Sequence, residues 1–150
     1  MRNLLAVLLS TMIFAVIAYG QDNSVADSIV GEYYTDHQGE SSKIRITKSD
    51  DGTYMAQVFW VKNSTDKAGN PILDTKNPDK SLRHVPCDRI VLISGLKYNA
   101  EKKRWGDTKV YDPTRGIRAN VTCEFAEDGM LKLKGSLLGF SQTVFWQKLN

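Results

Sequence analysis

Apolar and polar residues alternate with a period of two along much of the chain after residue 29. The clearest examples are residues 117–125 and 131–137, which the short segment 127–129 separates. Because successive side chains of an extended strand point to opposite faces, this period predicts two strands joined as a hairpin. The apolar face of such strands should form the protein interior. Interior positions predicted in this way are Ile44, Ile46, Val121 and Leu133.

Eight such runs follow one another, and most are joined by tight turns. They cover residues 30–35, 43–47, 53–61, 89–96, 104–111, 117–125, 131–137 and 142–149. Because no amphipathic helix of useful length follows residue 29, the apolar face of the sheet must be covered by the sheet itself. The pattern therefore predicts an all-β domain over residues 30–150, an eight-stranded antiparallel up-and-down barrel. Such a barrel is filled by side chains or encloses one small ligand.

The first twenty residues follow a different pattern. A short positive start is followed by an apolar run over residues 4–18, and Ala18-Tyr19-Gly20 places small residues before Gln21. This pattern is typical of a secretory signal peptide, and the run is too short for a stable membrane anchor. No cysteine lies near the cleavage position, so we expect no lipid anchor. We expect an exported protein, periplasmic or secreted, that begins at Gln21 with a polar lead-in over residues 21–29.

Composition restricts the classes of function. The chain has 150 residues, of which 41% are hydrophobic and 25% charged, which is typical of one globular domain. The net charge of +3 comes from interspersed charges of both signs, which argues against nucleic acid or a charged membrane surface as a partner. Two histidines and two cysteines offer few ligands or catalytic groups. We therefore expect no enzyme activity, no metal and no cofactor.

The two cysteines leave a disulfide open. An exported chain favours a bond between Cys87 and Cys123. Against it, Cys123 occupies an interior strand position, and an intervening strand would place the two Cα atoms too far apart to bridge. Both alternatives remain at this point.

One connection, residues 62–86, is much longer than the others. A loop of this length in a compact domain is usually functional or mobile. It carries D-x-x-N-P-D at residues 74–79, in which Asp and Asn either bind their own backbone in a turn or form a polar edge that contacts a ligand. The same two interpretations apply to a turn at residues 111–116. The polar candidates are Asp74, Asn77, Asp79 and Arg83 in the loop, and Asp112 and Arg115 in the turn.

Aromatic residues are the other candidates for a ligand site. Trp60 shares one strand face with Tyr54, Ala56 and Val58, but the pattern does not decide which face is inside. Aromatic side chains fill cores as readily as they line pockets. The small residues Ala119 and Gly135 on apolar strand faces would leave room for a ligand. The predicted ligand-binding residues are Trp60 as an apolar wall, Arg83 as a polar gate, Trp105 and Tyr111.

The two ends of the domain resemble a lipocalin-type barrel. Gly31-Glu32-Tyr33 opens the first strand, and Trp146-Gln147-Lys148 closes the last. In lipocalin-type barrels a basic residue near the end packs across an aromatic residue of the first strand, and here Lys148 and Tyr33 take those places. The resemblance implies that a cation over an aromatic face fastens the first strand to the last.

The middle of the chain resembles a family of exported bacterial proteins, domain of unknown function 2147. The resemblance rests on D-x-x-N-P-D, then the glycine-bearing strand around residues 93–96, then W-x-x-x-x-x-Y-D-P-x-x-G from residue 105 to residue 116. It implies a lipocalin-like barrel without an established activity. Two functions follow as hypotheses. The first is binding of a small apolar or amphipathic molecule. The second is a cell-envelope interaction protein with a filled barrel that presents residues 62–86 to a protein partner and binds no ligand.

Overall fold

A computed structural model of the protein describes residues 23–37 and 39–150, and these form a closed antiparallel β-barrel. Each strand pairs with the next, and the last pairs with the first, which confirms the predicted fold. The predicted signal peptide and the start at Gln21 lie outside the described residues. The elements are α1 Asn23–Asp27, β1 Gly31–His37, β2 Glu40–Lys48, β3 Tyr54–Val61, β4 Val91–Asn99, β5 Arg104–Asp112, β6 Ile117–Phe125, β7 Leu131–Leu137 and β8 Phe140–Lys148, with 3-10 turns at Lys80–Leu82 and Cys87–Arg89.

The core occupies the half of the barrel nearest to α1. Strand alternation sends one side chain in two to the inside, and the four predicted interior residues are all buried. This confirms the predicted orientation of Ile44, Ile46, Val121 and Leu133. Large aromatic side chains complete this half, namely Tyr33, Tyr54, Trp105 and Trp146.

The residues before β1 close the barrel at this end, which we call the plugged end. Instead of a purely polar lead-in, the segment carries a short helix and the fully buried Ile29. Barrel side chains bind it through hydrogen bonds that anchor it across the end of the sheet. These run from Tyr33 OH to Ile29 O at 2.6 Å, Tyr54 OH to Asp27 Oδ1 at 2.6 Å, Trp105 Nε1 to Ala26 O at 3.1 Å and Lys148 Nζ to Ser28 O at 2.7 Å.

A β-bulge changes the faces of β3. Ile44 of β2 pairs with Val58, but the next residue, Lys43, pairs with Trp60, so Phe59 is an extra residue. Val58 points inward, and Trp60 consequently points outward. The expectation that Trp60 shares a face with Tyr54, Ala56 and Val58 is therefore wrong, because it assumed unbroken alternation.

The two cysteines are free, so the disulfide is not formed. Cys123 is buried in the core, whereas Cys87 lies in the second 3-10 turn, with its Sγ 3.9 Å from the carbonyl oxygen of Ser64. Desolvation by burial raises the pKa of Cys123 to about 12, which keeps this thiol protonated.

None of the helices in the described part of the chain has the length and apolar character needed to cross a bilayer.

Candidate functional site

At the end of the barrel opposite the plugged end, which we call the open end, the side chains of the inner wall are only partly buried. Strand register identifies the inner positions there: Thr35 pairs with Ser42, Ser42 with Val61, and Val110 with Ala119. All of these side chains are only partly buried, although residues of the same strand faces deeper in the barrel are fully buried. We call this inner wall the cup, and its residues are Thr35, Ser42, Val61, Val110, Ala119 and Gly135.

Small residues form part of the cup wall. A methyl group added at Gly135 would lie 3.7 Å from both Ala119 Cβ and Val110 Cγ1. These three positions therefore meet on the inner wall of β5, β6 and β7. Gly135 and Ala119 contribute little side-chain volume, so this part of the wall remains accessible. The expectation from sequence that these two residues leave room for a ligand stays a prediction.

A chain of polar side chains crosses the rim of the cup. Arg115, in the turn between β5 and β6, pairs with Asp112 at 3.1 Å and donates through Nη2 to Gln142 Oε1 on β8. Since the Gln142 oxygen accepts from Arg115, the Gln142 Nε2 amide is free to donate to His37 Nε2, 3.2 Å away at the end of β1. The arrangement combines an apolar wall with polar groups at its entrance. Asp112 and Arg115 were candidates from sequence, whereas His37 and Gln142 belong to no motif.

Trp60 does not line the cup. It lies on the outer face of β3, where 39% of its surface is exposed and the Lys43 ammonium lies 5.4 Å from the ring centroid. The bulge at Phe59 is the physical reason, as described above. The expected role of Trp60 as an apolar wall of the interior therefore has no support in its position.

Trp105 and Lys148 both belong to the plugged end. Trp105 is buried, packs edge-on against Phe125 and donates to Ala26, so it fills the core rather than the cup. Lys148 Nζ lies 5.8 Å from the Tyr33 ring centroid, and the two residues pair across β1 and β8. Their geometry matches the barrel closure that the lipocalin resemblance implied.

The long loop is anchored to the outer wall of the barrel. Tyr111 points outward from β5, and its hydroxyl donates to Asp74 Oδ1 at 2.6 Å. Asn77 Nδ2 donates to the other oxygen of Asp74 at 2.7 Å, and all three side chains are buried. Burial, followed by the hydrogen bond to Asp74, raises the pKa of Tyr111. The two sequence motifs therefore contact each other and form a buried structural cluster.

Further contacts tie the same loop to the turn between β5 and β6. Lys76 Nζ donates to the carbonyl oxygen of Thr114 at 2.6 Å. Gly116 has a φ of +68°, and a Cβ there would lie 2.3 Å from the carbonyl oxygen of Lys76. Glycine is thus required both by the backbone conformation and by this close approach. The loop therefore follows the rim on the β5–β6 side.

Arg83 and Asp79 act within the loop. Arg83 Nε donates to the carbonyl oxygen of Asn77 at 2.8 Å, and the Asp79 carboxylate caps the turn Lys80–Leu82 by accepting from Ser81. Among the described residues, Arg83 makes no hydrogen bond or ion pair with a residue of the cup. The structure therefore brings Asp74, Asn77 and Tyr111 together, and keeps Arg83 apart from Trp60 and Trp105.

A shallow groove of about 370 Å³ lies beside the cup, where β1 and β8 separate. These strands pair at Tyr33–Lys148 and Tyr34–Gln147. Beyond that point Thr35 Oγ1 donates to the carbonyl oxygen of Phe145 at 3.2 Å, so a side chain replaces the backbone ladder. Groove residues include Thr35 and His37, which also belong to the cup and its rim. The groove shares Thr35 with the cup, but Tyr34, Phe145 and Gln147 place most of it on the outer face of β1 and β8.

Metal-binding side chains are sparse in the described ranges. Within residues 23–37 and 39–150, no group of three or more His, Cys, Asp and Glu side chains is placed to bind a metal ion. The titratable rim groups His37, Asp112 and Arg115 are bound to one another or to Gln142, as described above.

Fold and site together define a lipocalin-like barrel that is plugged at one end and open at the other. The chain belongs to the family described as "Uncharacterized protein conserved in bacteria (DUF2147)", whose model matches residues 31–148. It is similar in structure to protein HP1028 from the human pathogen Helicobacter pylori, which is described as a member of the lipocalin family. The TM-score is 0.61 at 23% sequence identity, over 81% of this chain and 82% of that one, a likeness that shows the fold. No curated protein matches the chain significantly.

Proposed function

We propose that this protein binds a small apolar or amphipathic molecule in the cup. The observation that carries the proposal is the partly exposed inner wall at the open end, whose apolar part includes Val110, Ala119 and Gly135. Small-molecule sites are concave and mainly apolar, with a few polar groups that orient the ligand. Arg115 and Gln142 at the rim supply such groups for the polar end of an amphipathic ligand.

Filling the cup tests this proposal. Gly135→Leu places a large side chain against Ala119 and Val110, so binding of the probe dansyl-undecanoate should weaken by at least about tenfold. The matched control is Asn120→Leu, which places the same leucine side chain on the exposed outer face of β6. Fluorescence titration measures binding, and circular dichroism shows that both variants remain folded. Equal affinities for wild type and Gly135→Leu would exclude the cup as the binding site.

We also propose that the protein is exported, periplasmic or secreted and without a lipid anchor. The support is the signal-peptide pattern of residues 1–20, with small residues before Gln21. Intact-mass measurement of protein purified from the envelope fraction should give a chain that starts at Gln21. A soluble envelope species that retains residues 1–20 would contradict cleavage at this position.

A second function is supported by the long loop, which would present a surface to a protein partner. Ile72, Leu73 and Leu82 are each about two-fifths exposed on a segment that the Asp74–Tyr111 cluster holds in place. Native extraction of wild type and of an Ile72→Ser/Leu82→Ser variant, followed by mass spectrometry, distinguishes the two functions. A protein recovered only with wild type would support this alternative, whereas a small molecule recovered with both would support ligand binding.

A further inference from the structure

The hairpin between β7 and β8 ends in an exposed apolar tip. We call Leu137–Phe140 the lip, because it stands at the open end of the barrel. Leu138 is 89% exposed and Phe140 is 82% exposed. Among the other large hydrophobic side chains that the structure describes, exposure does not exceed the 52% of Val25. The two most exposed large hydrophobic side chains in the described part of the chain therefore both belong to this protrusion.

The backbone of the lip is strained at a leucine. Leu138 has a φ of +49° and Gly139 a φ of +81°, the conformation of a two-residue turn that usually takes Asn, Asp or Gly at its first position. A leucine is disfavoured there because its Cβ crowds the backbone. Since the Leu138 side chain is almost fully exposed, packing within the barrel gives no compensation for this strain. The strain at Leu138 therefore has no counterpart in the packing of the barrel, which points to a role outside the fold.

The charge pattern around the lip favours a lipid surface. Residues 135–147 contain no charged side chain, although 25% of the whole chain is charged. Two basic residues stand just behind this stretch: Lys134 on β7, and Arg115, which pairs with Asp112 and contacts Gln142 of β8. An apolar tip with basic groups set back from it matches the depth profile of a membrane interface, where apolar side chains enter the acyl region and Lys or Arg reaches the phosphates.

The shape of the lip also favours a bilayer over a protein partner. A stable protein contact buries about 800 Å² on each side, which needs a broad complementary patch. The lip instead presents two or three side chains on a narrow convex turn flanked by Ser136 and Ser141. Such a narrow protrusion can enter a deformable medium such as the surface of a bilayer.

We propose that the lip inserts reversibly into the surface of a lipid bilayer, so that the barrel docks with its open end toward the membrane. This interaction depends on apolar insertion rather than on net charge. It goes beyond ligand binding in the cup and can hold whether or not the cup is occupied. Docking in this orientation would bring the rim residue Arg115 close to the lipid phosphates.

Vesicle binding by the intact protein tests the proposal. Wild type should sediment with vesicles of phosphatidylcholine and phosphatidylglycerol in equal parts. Leu138→Ser and Phe140→Ser should each weaken partitioning on the order of tenfold, and the double variant on the order of 100-fold. Val25→Ser, at the plugged end, should partition like wild type. Because all three positions are exposed, melting temperatures should remain close to that of wild type.

A spectroscopic experiment reports the orientation. An indole introduced by Leu138→Trp should be quenched by brominated lipids in these vesicles, whereas one introduced by Val25→Trp should not. Failure of wild type to sediment, or unchanged partitioning of the double serine variant, would overturn the proposal. Sedimentation velocity that shows a dimer lost in the lip variants, without vesicle binding, would assign the lip to self-association and would likewise overturn it.

Discussion

Asp27 illustrates how a single side chain makes the plugged end sensitive to pH. Its carboxylate lies 2.8 Å from Lys48 Nζ and accepts from the hydroxyl of Tyr54. These hydrogen bonds, that from Lys48 first, lower the pKa of Asp27 below its usual value. A carboxyl group whose folded-state pKa is lowered stabilises the fold above its unfolded pKa of about 3.9, and this contribution disappears as pH falls through the folded-state pKa.

Asp27→Asn should therefore lower the melting temperature at neutral pH, and its difference from wild type should shrink below pH of about 4. Thermal unfolding followed by circular dichroism across the acid range measures this convergence. Lys48→Met should reduce the same pH dependence, because it removes the principal partner of Asp27. A constant difference between wild type and Asp27→Asn at every pH would contradict the role assigned to this carboxylate.

Two neighbouring residues of β6 should differ strongly in how much stability they lose when each is replaced by aspartate. Val121 is buried and points inward, whereas Asn120 is exposed on the outer face. Val121→Asp buries a charge without a partner, so the protein should fail to fold or lose several kcal/mol of stability. Asn120→Asp should change the free energy of unfolding by about 0.5 kcal/mol or less. Chemical denaturation compares the two, and equal stability would mean that the assigned strand register is shifted.

At the scale of elements, the long loop is fixed mainly by one buried cluster. Tyr111→Phe removes the hydroxyl that donates to Asp74, which leaves a buried carboxylate oxygen without that partner. We expect a loss of about 1–3 kcal/mol and faster trypsin cleavage at Lys76, Lys80 or Arg83. Tyr34→Phe is the matched control, because its hydroxyl bonds Ser41 outside the loop. Equal cleavage rates in the two variants would show that Tyr111 does not anchor the loop.

The elements that sequence predicts well are those with unbroken local alternation. β6 and β7 have the predicted bounds, and β4 begins two residues later than expected because the 3-10 turn Cys87–Arg89 precedes it. The bulge at Phe59 could not be predicted, because an extra residue is visible only against the partner strand. The contact between Asp74 and Tyr111 was also hidden, because local patterns do not show which loop covers which strand.

The site was predictable to a similar extent. Small residues at Ala119 and Gly135 indicated free space, and Asp112 with Arg115 indicated a charged pair at the rim. His37 and Gln142 carry no local signal, because their proximity follows only from closure of the barrel. The lip was also missed, because charges of both signs across the whole chain concealed the uncharged stretch at residues 135–147.

At the scale of the whole molecule, the plugged and open ends should behave independently. Ile29→Ala leaves a cavity under α1, which should cost about 2–5 kcal/mol and shift tryptophan emission to the red, because Trp105 bonds the same segment. Dansyl-undecanoate binding should remain close to that of wild type in conditions where the variant is folded. Val25→Ala, at an exposed position of the same helix, should leave both the stability and the tryptophan emission unchanged. Loss of binding in folded Ile29→Ala would mean that the plug also shapes the cup.

The bulge in β3 has a consequence for insertions and deletions. Removing one residue from a barrel strand normally inverts every side chain beyond it. Deletion of Phe59 should not have this effect. Val58 and Trp60 would become consecutive residues, and they already lie on opposite faces of β3. Val61 would still pair with Ser42. β4 pairs with β3 only as far as Gln57, so its ladder would not be interrupted. Phe59 is therefore a position inside a strand where a shortened sequence can encode the same barrel.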